Sequence, residues 1–412
     1  MKIVFVGGIF LEEQRELIES KAKGNVQYAA DSLQKAFLNG FDQIEGVETH
    51  LVNIPYISSF PRGDRQPWFP GIRTKVFSNI SVLGKSFINI LILRIFDRFR
   101  AAFAGLRQIL DHSDAATIVV YSAHSPFLLA ALLVAANRAL VKTCLILPDF
   151  PEFMGDDGLK YKIISKINST IFYALAPRFD YFVVLTLPMA EKMNLSNEQF
   201  TVVEGIYDPS HETSSPVWST ESGKIFIYTG TLAARYGILD LLQAFAELDN
   251  PDVRLWICGD GDAKQSVINA AAKDQRVVYH GLVSRPEALA LQARAHVMVN
   301  PRRPEGEFTR YSFPSKTMEY LASGRPTIMH WLSGMPPEYH EYLIAPDSAD
   351  ALGLANAMRR VSQMEDSELQ RIGASGRRFV LTEKGPKKQI DKFVKLLMKR
   401  RENKARCHVE YL

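Results

Sequence analysis

Short apolar runs alternate with longer segments of helical periodicity along the whole chain. The runs predict strands at residues 3–6, 51–54, 117–122, 143–147, 181–185, 201–203, 225–228, 253–258, 277–279, 296–299, 327–329 and 342–344. Most of them hold few polar residues, which is typical of strands buried on both faces of a parallel sheet. Their alternation with helices predicts an α/β fold in which helices cover both faces of each sheet.

The alternation is interrupted at 208–223, a polar segment rich in turn-forming residues. This segment predicts a linker, because a chain of 412 residues is too long for one ordinary core. We therefore expect an N-terminal domain at 1–207, a C-terminal domain at 224–384, and a basic helix at 385–412 that packs back on the N-terminal domain. Two doubly wound, Rossmann-like domains facing each other across a cleft would bind ligands at the carboxyl ends of their strands.

Residues 71–110 do not follow the alternation. An uncharged apolar run at 86–93 is flanked there by basic residues on both sides. The run is much shorter than the roughly 20 residues that a membrane-spanning helix needs. Two interpretations stay open: a pair of helices with a solvated basic face, or a basic amphipathic insertion that contacts an anionic membrane.

Composition narrows the functional classes. The formal net charge is +4 and 47% of the residues are hydrophobic, so the chain has a globular composition and its total charge does not indicate nucleic-acid binding. Three cysteines lie far apart without a Cys-x-x-Cys motif, which predicts a reducing compartment. The first apolar run is too short for a signal peptide. We expect a cytoplasmic protein. If the insertion binds lipid, we expect the protein to contact the inner face of the cell membrane peripherally.

Candidate chemistry is concentrated at 296–326, where an apolar run and a polar loop precede a helix predicted at 315–323. Ser315 is the expected N-cap, and the free N–H groups of the first turn, with the charge of Lys316, predict a site for an anion. Glu319 follows one turn later on the same face, where its carboxylate would accept hydrogen bonds from a ribose diol. The spacing fits a nucleoside diphosphate, and it also fits an ordinary helix with an exposed Lys and Glu.

A second loop connects the strand at 225–228 to a helix predicted at 238–248. Gly230 has no Cβ and therefore lets a ligand approach the backbone. Arg235 carries a planar, forked donor that suits phosphate oxygens. A glycine-containing turn between a strand and a helix is weak evidence by itself, but it adds a second phosphate-binding loop to the first.

Four sequence landmarks follow one another in this half of the chain. They are Tyr-Thr-Gly-Thr at 228–231, Arg-Tyr-Gly-Ile-Leu-Asp-Leu-Leu at 235–242, Leu-Trp-Ile-Cys-Gly-Asp-Gly-Asp at 255–262 and Phe-Pro-Ser-Lys-Thr-Met-Glu-Tyr-Leu-Ala-Ser-Gly-Arg-Pro at 313–326. The series resembles the GT-B glycosyltransferases of family 4, and its last member is similar to a sub-branch that builds bacterial surface polysaccharides. The resemblance implies a retaining hexosyltransferase that takes a sugar from a nucleotide-sugar, a UDP-sugar in preference to a GDP-sugar. It further implies a lipid-linked or polysaccharide acceptor and neither a metal ion nor another cofactor.

The resemblance also implies roles for single residues. The implied donor site consists of Gly24, Asn25, Gly230, Thr231, Arg235, Ser315, Lys316 and Glu319. The implied catalytic residues are Glu319, Lys316, Arg235 and Asp149. Asp149 is included because the histidine usual after the fourth N-terminal strand is absent. Thr231 stands where the family carries a basic residue, which leaves Arg235 and Lys316 as the predicted phosphate ligands.

Several features leave alternatives open. Tyr311 replaces the first of two family glutamates, and His124 ends a predicted strand, so both are candidates for contact with the sugar or the acceptor. His124 fits a structural role as well. Asp260 and Asp262 would suit Mg²⁺, although they also fit an ordinary turn. Two other functions share these features: a nucleotide-sugar epimerase of GT-B architecture, and a catalytically degenerate subunit that supports an active partner.

Overall fold

The chain divides into two compact units. The first contains Met1–Ile206 and Pro386–Leu412, and the second contains Tyr207–Gly385. The structure is a computed structural model that describes residues 1–23, 26–153, 159–209 and 218–409. Among these residues, no helix combines the length and the apolar character that crossing a membrane requires.

The first unit is built on an eight-stranded sheet. Its strands and those of a separate two-stranded sheet are β1 (Lys2–Gly7), β2 (Glu48–Asn53), β3 (Trp68–Phe69), β4 (Arg73–Val76), β5 (Ile80–Gly84), β6 (Phe87–Ile88), β7 (Ala116–Tyr121), β8 (Lys142–Leu147), β9 (Tyr181–Val184) and β10 (Phe200–Val202). The large sheet has the order β10-β9-β8-β7-β1-β2-β5-β4 and is parallel except for β4, while β3 pairs with β6. The chain turns from one side of β1 to the other between β2 and β7, which makes the carboxyl ends of β1 and β7 a topological switch point.

Helices cover this sheet because its strands are apolar on both faces. They are α1 (Glu12–Lys21), α2 (Tyr28–Asp42), α3 (Leu93–Ile109), α4 (Ser125–Ala136), α5 (Leu159–Leu175) and α6 (Leu187–Lys192). The stretch from β7 into α4 is a strand, a turn and a helix. Buried side chains from the sheet, α2 and the C-terminal segment form one continuous core.

The prediction of a helix pair or amphipathic helix across 71–110 is wrong for its first half. Residues 73–84 form the β4–β5 hairpin, and β5 extends the main sheet beside β2. The exposed and half-buried residues of β4 alternate, as expected for an edge strand, and this pattern of period two lacks the apolar run that identifies central strands. Helix begins at Leu93, and α3 is the single helix of the segment.

The second unit is built on a five-stranded parallel sheet. Its strands are β11 (Lys224–Thr229), β12 (Val253–Cys258), β13 (Val277–Gly281), β14 (Val297–Asn300) and β15 (Thr327–Met329), in the order β13-β12-β11-β14-β15. Its helices are α7 (Ile238–Ala246), α8 (Lys264–Lys273), α9 (Arg285–Arg294), α10 (Glu307–Arg310), α11 (Lys316–Ala322), α12 (Ala351–Ser362) and α13 (Asp366–Glu383). The switch point lies between β11 and β14, so their carboxyl ends are where a ligand is expected.

The strand predicted at 342–344 is not present as a strand. Residues Pro337–Tyr342 form a 3₁₀ helix, and Ile344 makes an isolated bridge to Ile328 of β15. The sequence Tyr-Leu-Ile is apolar enough for a strand but too short to extend the pairing beyond one bridge. The last helix, α14 (Pro386–Val409), returns to the first unit, where Phe393 packs edge-on against Phe41 of α2 with ring centroids 5.6 Å apart.

Candidate functional site

The carboxyl end of the central strand β11 is tied to helix α11. The backbone N–H of Thr229 donates to the phenol oxygen of Tyr320 at 2.8 Å, and the Tyr320 hydroxyl donates to the Thr229 carbonyl at 3.1 Å. Tyr320 is fully buried, and burial raises its pKa, so the hydroxyl keeps its proton and acts as a donor. These bonds fix the first loop of the unit against the helix that carries Lys316 and Glu319.

A buried glutamine links the two segments a second time. Gln292 of α9 is 1% exposed, and its Nε2 donates to Thr229 Oγ1 at 2.8 Å and to Glu319 Oε1 at 2.7 Å. Lys316 Nζ donates to the same Glu319 oxygen at 2.6 Å. Within the described part of the chain, Glu319 Oε2 accepts no hydrogen bond. One carboxylate oxygen is therefore held by protein, and the other is left for a donor from outside.

The electrostatic setting of Glu319 keeps it ionised. Burial would raise its pKa, but the charge of Lys316 and the hydrogen bonds from Gln292 and Lys316 outweigh burial, and the pKa lies below its ordinary value of 4.5. A half-buried carboxylate with a fixed orientation is a strong acceptor for neutral hydroxyl groups. The group thus has the charge and position needed to bind a diol.

The loop after β11 packs backbone against backbone on the loop after β12. Gly230 donates its N–H to the Cys258 carbonyl at 3.0 Å, and a Cβ on Gly259, whose φ is +141°, would lie 1.8 Å from the Gly230 carbonyl oxygen. Asp262 Oδ1 accepts the Ala234 N–H at 2.9 Å. The Asp262 side chain thus stabilises this pair of loops.

The outer part of the same loop is exposed. Arg235 lies on the surface with its guanidinium 5.1 Å from the centre of the Tyr236 ring, and Thr231 is exposed beside it. Gly237 ends the loop with φ +81°, and a Cβ there would lie 2.1 Å from the Pro301 carbonyl oxygen. The glycine therefore lets the chain turn sharply into α7 against the loop that follows β14.

Three predicted residues of the second unit, Gly230, Lys316 and Glu319, lie at this end of the sheet. Gly230 and Glu319 are joined through Thr229 and Gln292. Burial raises the pKa of Cys258, the last residue of β12, to about 11, and the charge of Lys316 acts in the opposite direction.

The start of α11 differs from the prediction. Ser315 stands at the N-cap position, but its backbone is already helical (φ −55°, ψ −28°) and its side chain makes no capping hydrogen bond. The chain coils earlier than expected, because the Thr317 N–H donates to the Pro314 carbonyl at 2.9 Å. The helix spans seven residues, fewer than the sequence predicts. The charge of Lys316, rather than a long helix, is what this position offers an anion.

The other predicted residues belong to other elements. Tyr311 is buried in the second unit, where its N–H closes the short helix α10 by bonding to the Phe308 carbonyl. His124 and Asp149 belong to the first unit, after β7 and β8. Gly24 and Asn25, the predicted phosphate contacts of the first unit, lie outside the described residues.

Gln292 is a site residue that the sequence analysis missed. It lies in the helix before β14, 27 positions from Glu319, and nothing in the local pattern of α9 distinguishes it from a solvated glutamine. A separate pocket at the opposite, amino end of the same sheet is lined by Lys224, Asp252 and His296, and it includes none of the predicted residues.

Comparison with protein families identifies part of the second unit. Residues 223–364 match the family model described as Glycosyl transferases group 1. A comparison with curated proteins finds no significant match. The matched segment contains the whole network around Thr229, Gln292 and Glu319.

Comparison with solved structures covers nearly the whole chain. Sucrose-phosphate synthase (tll1590) from Thermosynechococcus elongatus aligns over 97% of this chain and 100% of its own, with a TM-score of 0.64 and 13% identity. The lipopolysaccharide outer core galactosyltransferase WaaB in its apo form aligns over 97% of this chain and 100% of its own, with a TM-score of 0.62 and 15% identity. Anabaena Alr3699/HepE in complex with UDP aligns over 97% of this chain and 100% of its own, with a TM-score of 0.58 and 14% identity. These likenesses show the fold, a GT-B fold of two Rossmann-like units, and together with the family match they support a GT-B glycosyltransferase.

Proposed function

We propose that this protein is a retaining glycosyltransferase that moves a sugar from a UDP-sugar to a lipid-linked or polysaccharide acceptor in cell-surface glycan synthesis. The observation that carries the proposal is the hydrogen-bonded network of Thr229, Gln292, Lys316 and Glu319 at the switch point of the second unit. The network lies inside the segment that matches group 1 glycosyltransferases. A structural neighbour, Alr3699/HepE, was solved with UDP and glucose, which favours this donor class.

In this proposal the second unit binds the nucleotide. The ribose hydroxyls donate to Glu319 Oε2, the oxygen that has no hydrogen bond from the described residues, while Gln292 and Lys316 hold Oε1 in place. The diphosphate lies against the Gly230 backbone. Lys316 Nζ retains two further N–H donors beyond the one used on Glu319, so it can contact a phosphate without releasing the carboxylate.

Sugar transfer then depends on charge stabilisation. The departing nucleoside diphosphate is a weak base, so its departure requires neutralisation of the charge that develops on the phosphates rather than a strong acid. Lys316 and exposed Arg235 would supply that positive charge. In the first unit, Asp149 would contact the sugar or orient the acceptor hydroxyl. Retention of configuration at the anomeric carbon follows from the family resemblance.

The experiment that tests the proposal measures nucleotide binding and sugar release with the purified chain. A thermal-shift screen of nucleotide sugars selects the donor, since a ligand that binds the folded form raises its melting temperature. Calorimetric titration with UDP then compares the wild type with Glu319→Ala. Loss of two hydrogen bonds to a carboxylate should cost about 2–3 kcal/mol, a roughly 30- to 150-fold weaker affinity.

Glu247→Ala is the matched control, because Glu247 is an exposed residue just after α7. It should bind UDP like the wild type. Equal affinity in Glu319→Ala would refute the ribose assignment. Conversion of the donor sugar without any acceptor would instead indicate an epimerase, and binding without sugar release or transfer would indicate a degenerate subunit.

A further inference from the structure

Two arginines of the first unit lie together near the switch point without a negative partner. Arg94 and Arg98 are four residues apart on α3 and so share one helix face. Arg98 is 3% exposed, and its Nη2 donates to the Pro55 carbonyl at 2.6 Å. Its Nε is buried and has no hydrogen-bond partner in the described chain. No described carboxylate forms an ion pair with either guanidinium.

The carboxylate of Asp97, which lies between the two arginines in sequence, already has other partners. Asp97 binds Arg100 at 2.5 Å through one oxygen and accepts the Ile88 N–H at 2.6 Å through the other. Burial lowers the pKa of Arg98 to about 9, and the charge of Arg94 contributes to the decrease, so the guanidinium stays charged at neutral pH. A buried charge without a counter-ion is costly, and sites that bind charged ligands are where such a cost is retained.

Aromatic and imidazole groups complete the surroundings of these arginines. The Tyr56 ring lies 5.8 Å from the Arg98 guanidinium and 5.8 Å from the His124 ring. Burial and the two arginines hold the pKa of His124 well below its ordinary value, so the imidazole is neutral. Its Nε2 is also buried without a hydrogen-bond partner in the described chain. Tyr56 follows β2 and His124 follows β7, so the cluster lies at the carboxyl ends of the strands.

The chain beside the cluster is apolar and exposed. Every residue from Ile90 to Phe96 except Arg94 is hydrophobic, and each of these is more than a third exposed, with Ile92 at 67% and Phe96 at 69%. Such a contiguous exposed apolar patch marks an interaction surface. Apolar side chains next to unpaired guanidinium groups are complementary to an anionic amphiphile.

We propose that Arg94, Arg98 and His124 bind the phosphate group of a lipid-linked acceptor, whose chain contacts residues 90–96. The forked guanidinium groups suit phosphate oxygens, and a neutral imidazole supplies one further hydrogen bond. The inference rests on the proposed function, because it specifies the acceptor of that transferase. It turns two candidates, His124 and the basic insertion, into parts of one site.

The test uses monomeric dihexanoyl phosphatidic acid as the lipid phosphate and inorganic phosphate as the free one, each titrated into the purified protein without nucleotide. Arg98→Met should weaken phosphatidic acid binding roughly tenfold to hundredfold. Its melting temperature without ligand should equal or exceed that of the wild type, because the substitution removes a desolvated charge. Arg107→Gln removes an exposed arginine from the same helix and should bind like the wild type.

Further variants distinguish lipid phosphate from free phosphate, and failure of the donor site from failure of the lipid site. Ile92→Ser combined with Phe96→Ser should weaken binding of phosphatidic acid but leave that of inorganic phosphate unchanged. If Arg98→Met does not fold, half-buried Arg94→Gln replaces it. Glu319→Ala should lose UDP and keep phosphatidic acid, so failure of the donor site is distinguishable from failure of this one. Wild-type affinity for phosphatidic acid in both Arg94→Gln and Arg98→Met would overturn the proposal.

Discussion

Replacing Gln292 with leucine tests whether the buried amide organises the nucleotide site. Leucine has a similar volume, so the change removes two hydrogen bonds with little effect on packing. The bond to the Glu319 carboxylate is charge-assisted and contributes about 1.5–3 kcal/mol, and the bond to Thr229 Oγ1 contributes about 1 kcal/mol. Part of this loss is offset because leucine removes the Gln292 Oε1 atom, which is buried without a hydrogen-bond partner among the described residues. We therefore expect a net loss of about 2 kcal/mol in the free energy of unfolding.

Urea unfolding and thermal melting give the stability, and calorimetry gives UDP affinity. A loss of about 2 kcal/mol in a unit of this size lowers the melting temperature by about 4–8 °C. UDP should bind more weakly as well, because Glu319 loses one of the two groups that orient it. Gln265→Leu is the control, since Gln265 is exposed on α8 and should change stability by less than about 0.5 kcal/mol. Wild-type stability and UDP affinity in Gln292→Leu would refute this account of the network.

Two further predictions concern the predicted phosphate ligands, Lys316 and Arg235, and the ionisation of Glu319. Lys316→Ala and Arg235→Ala should each lower the rate of sugar release while changing the free energy of unfolding little, because the Lys316 and Arg235 charges act on the departing diphosphate. An unchanged rate of sugar release in both variants would contradict the phosphate assignment. The folded-state pKa of Glu319 lies below 4.5, so its contribution to stability is complete above that pH and is lost as the pH falls through the lower folded value. Urea unfolding between about pH 6 and about pH 3 should therefore show a larger loss in the wild type than in Lys316→Ala, where the pKa of Glu319 is less depressed; equal losses would show that Lys316 does not stabilise the carboxylate.

The sequence predicts the central strands of both sheets because those strands are buried on both faces and therefore uniformly apolar. It does not predict β3 to β6: β3 and β6 are only two residues long, β4 is an edge strand in which exposed and half-buried residues alternate, and β5 pairs with β4. The α/β class follows from the central strands, and the GT-B expectation follows from the resemblance of the motifs in the C-terminal half. The early start of coiling before α11 depends on a bond between Pro314 and Thr317, and the type of residue at 315 does not reveal it.

Site residues are predictable from the sequence when local structure brings them together, and not when tertiary packing does. Lys316 and Glu319 are predictable because their helical spacing brings them together locally. Gln292 is not, since its contact with Glu319 arises from packing between elements that are distant in sequence. Arg98 shows the same limit: among the basic residues of its segment it resembles part of a solvated face, yet it is buried. Tertiary packing determines both the contact of Gln292 and the burial of Arg98, and the local sequence pattern does not indicate either.

The measurement that tests the central claim most directly is a crystal structure of the chain with UDP. The account predicts the ribose hydroxyls within hydrogen-bond distance of Glu319 Oε2, with Gln292 and Lys316 still on Oε1. The diphosphate should lie against Gly230 and Lys316. A nucleotide bound to the first unit, or protein side chains filling the space beside Glu319 Oε2, would contradict it.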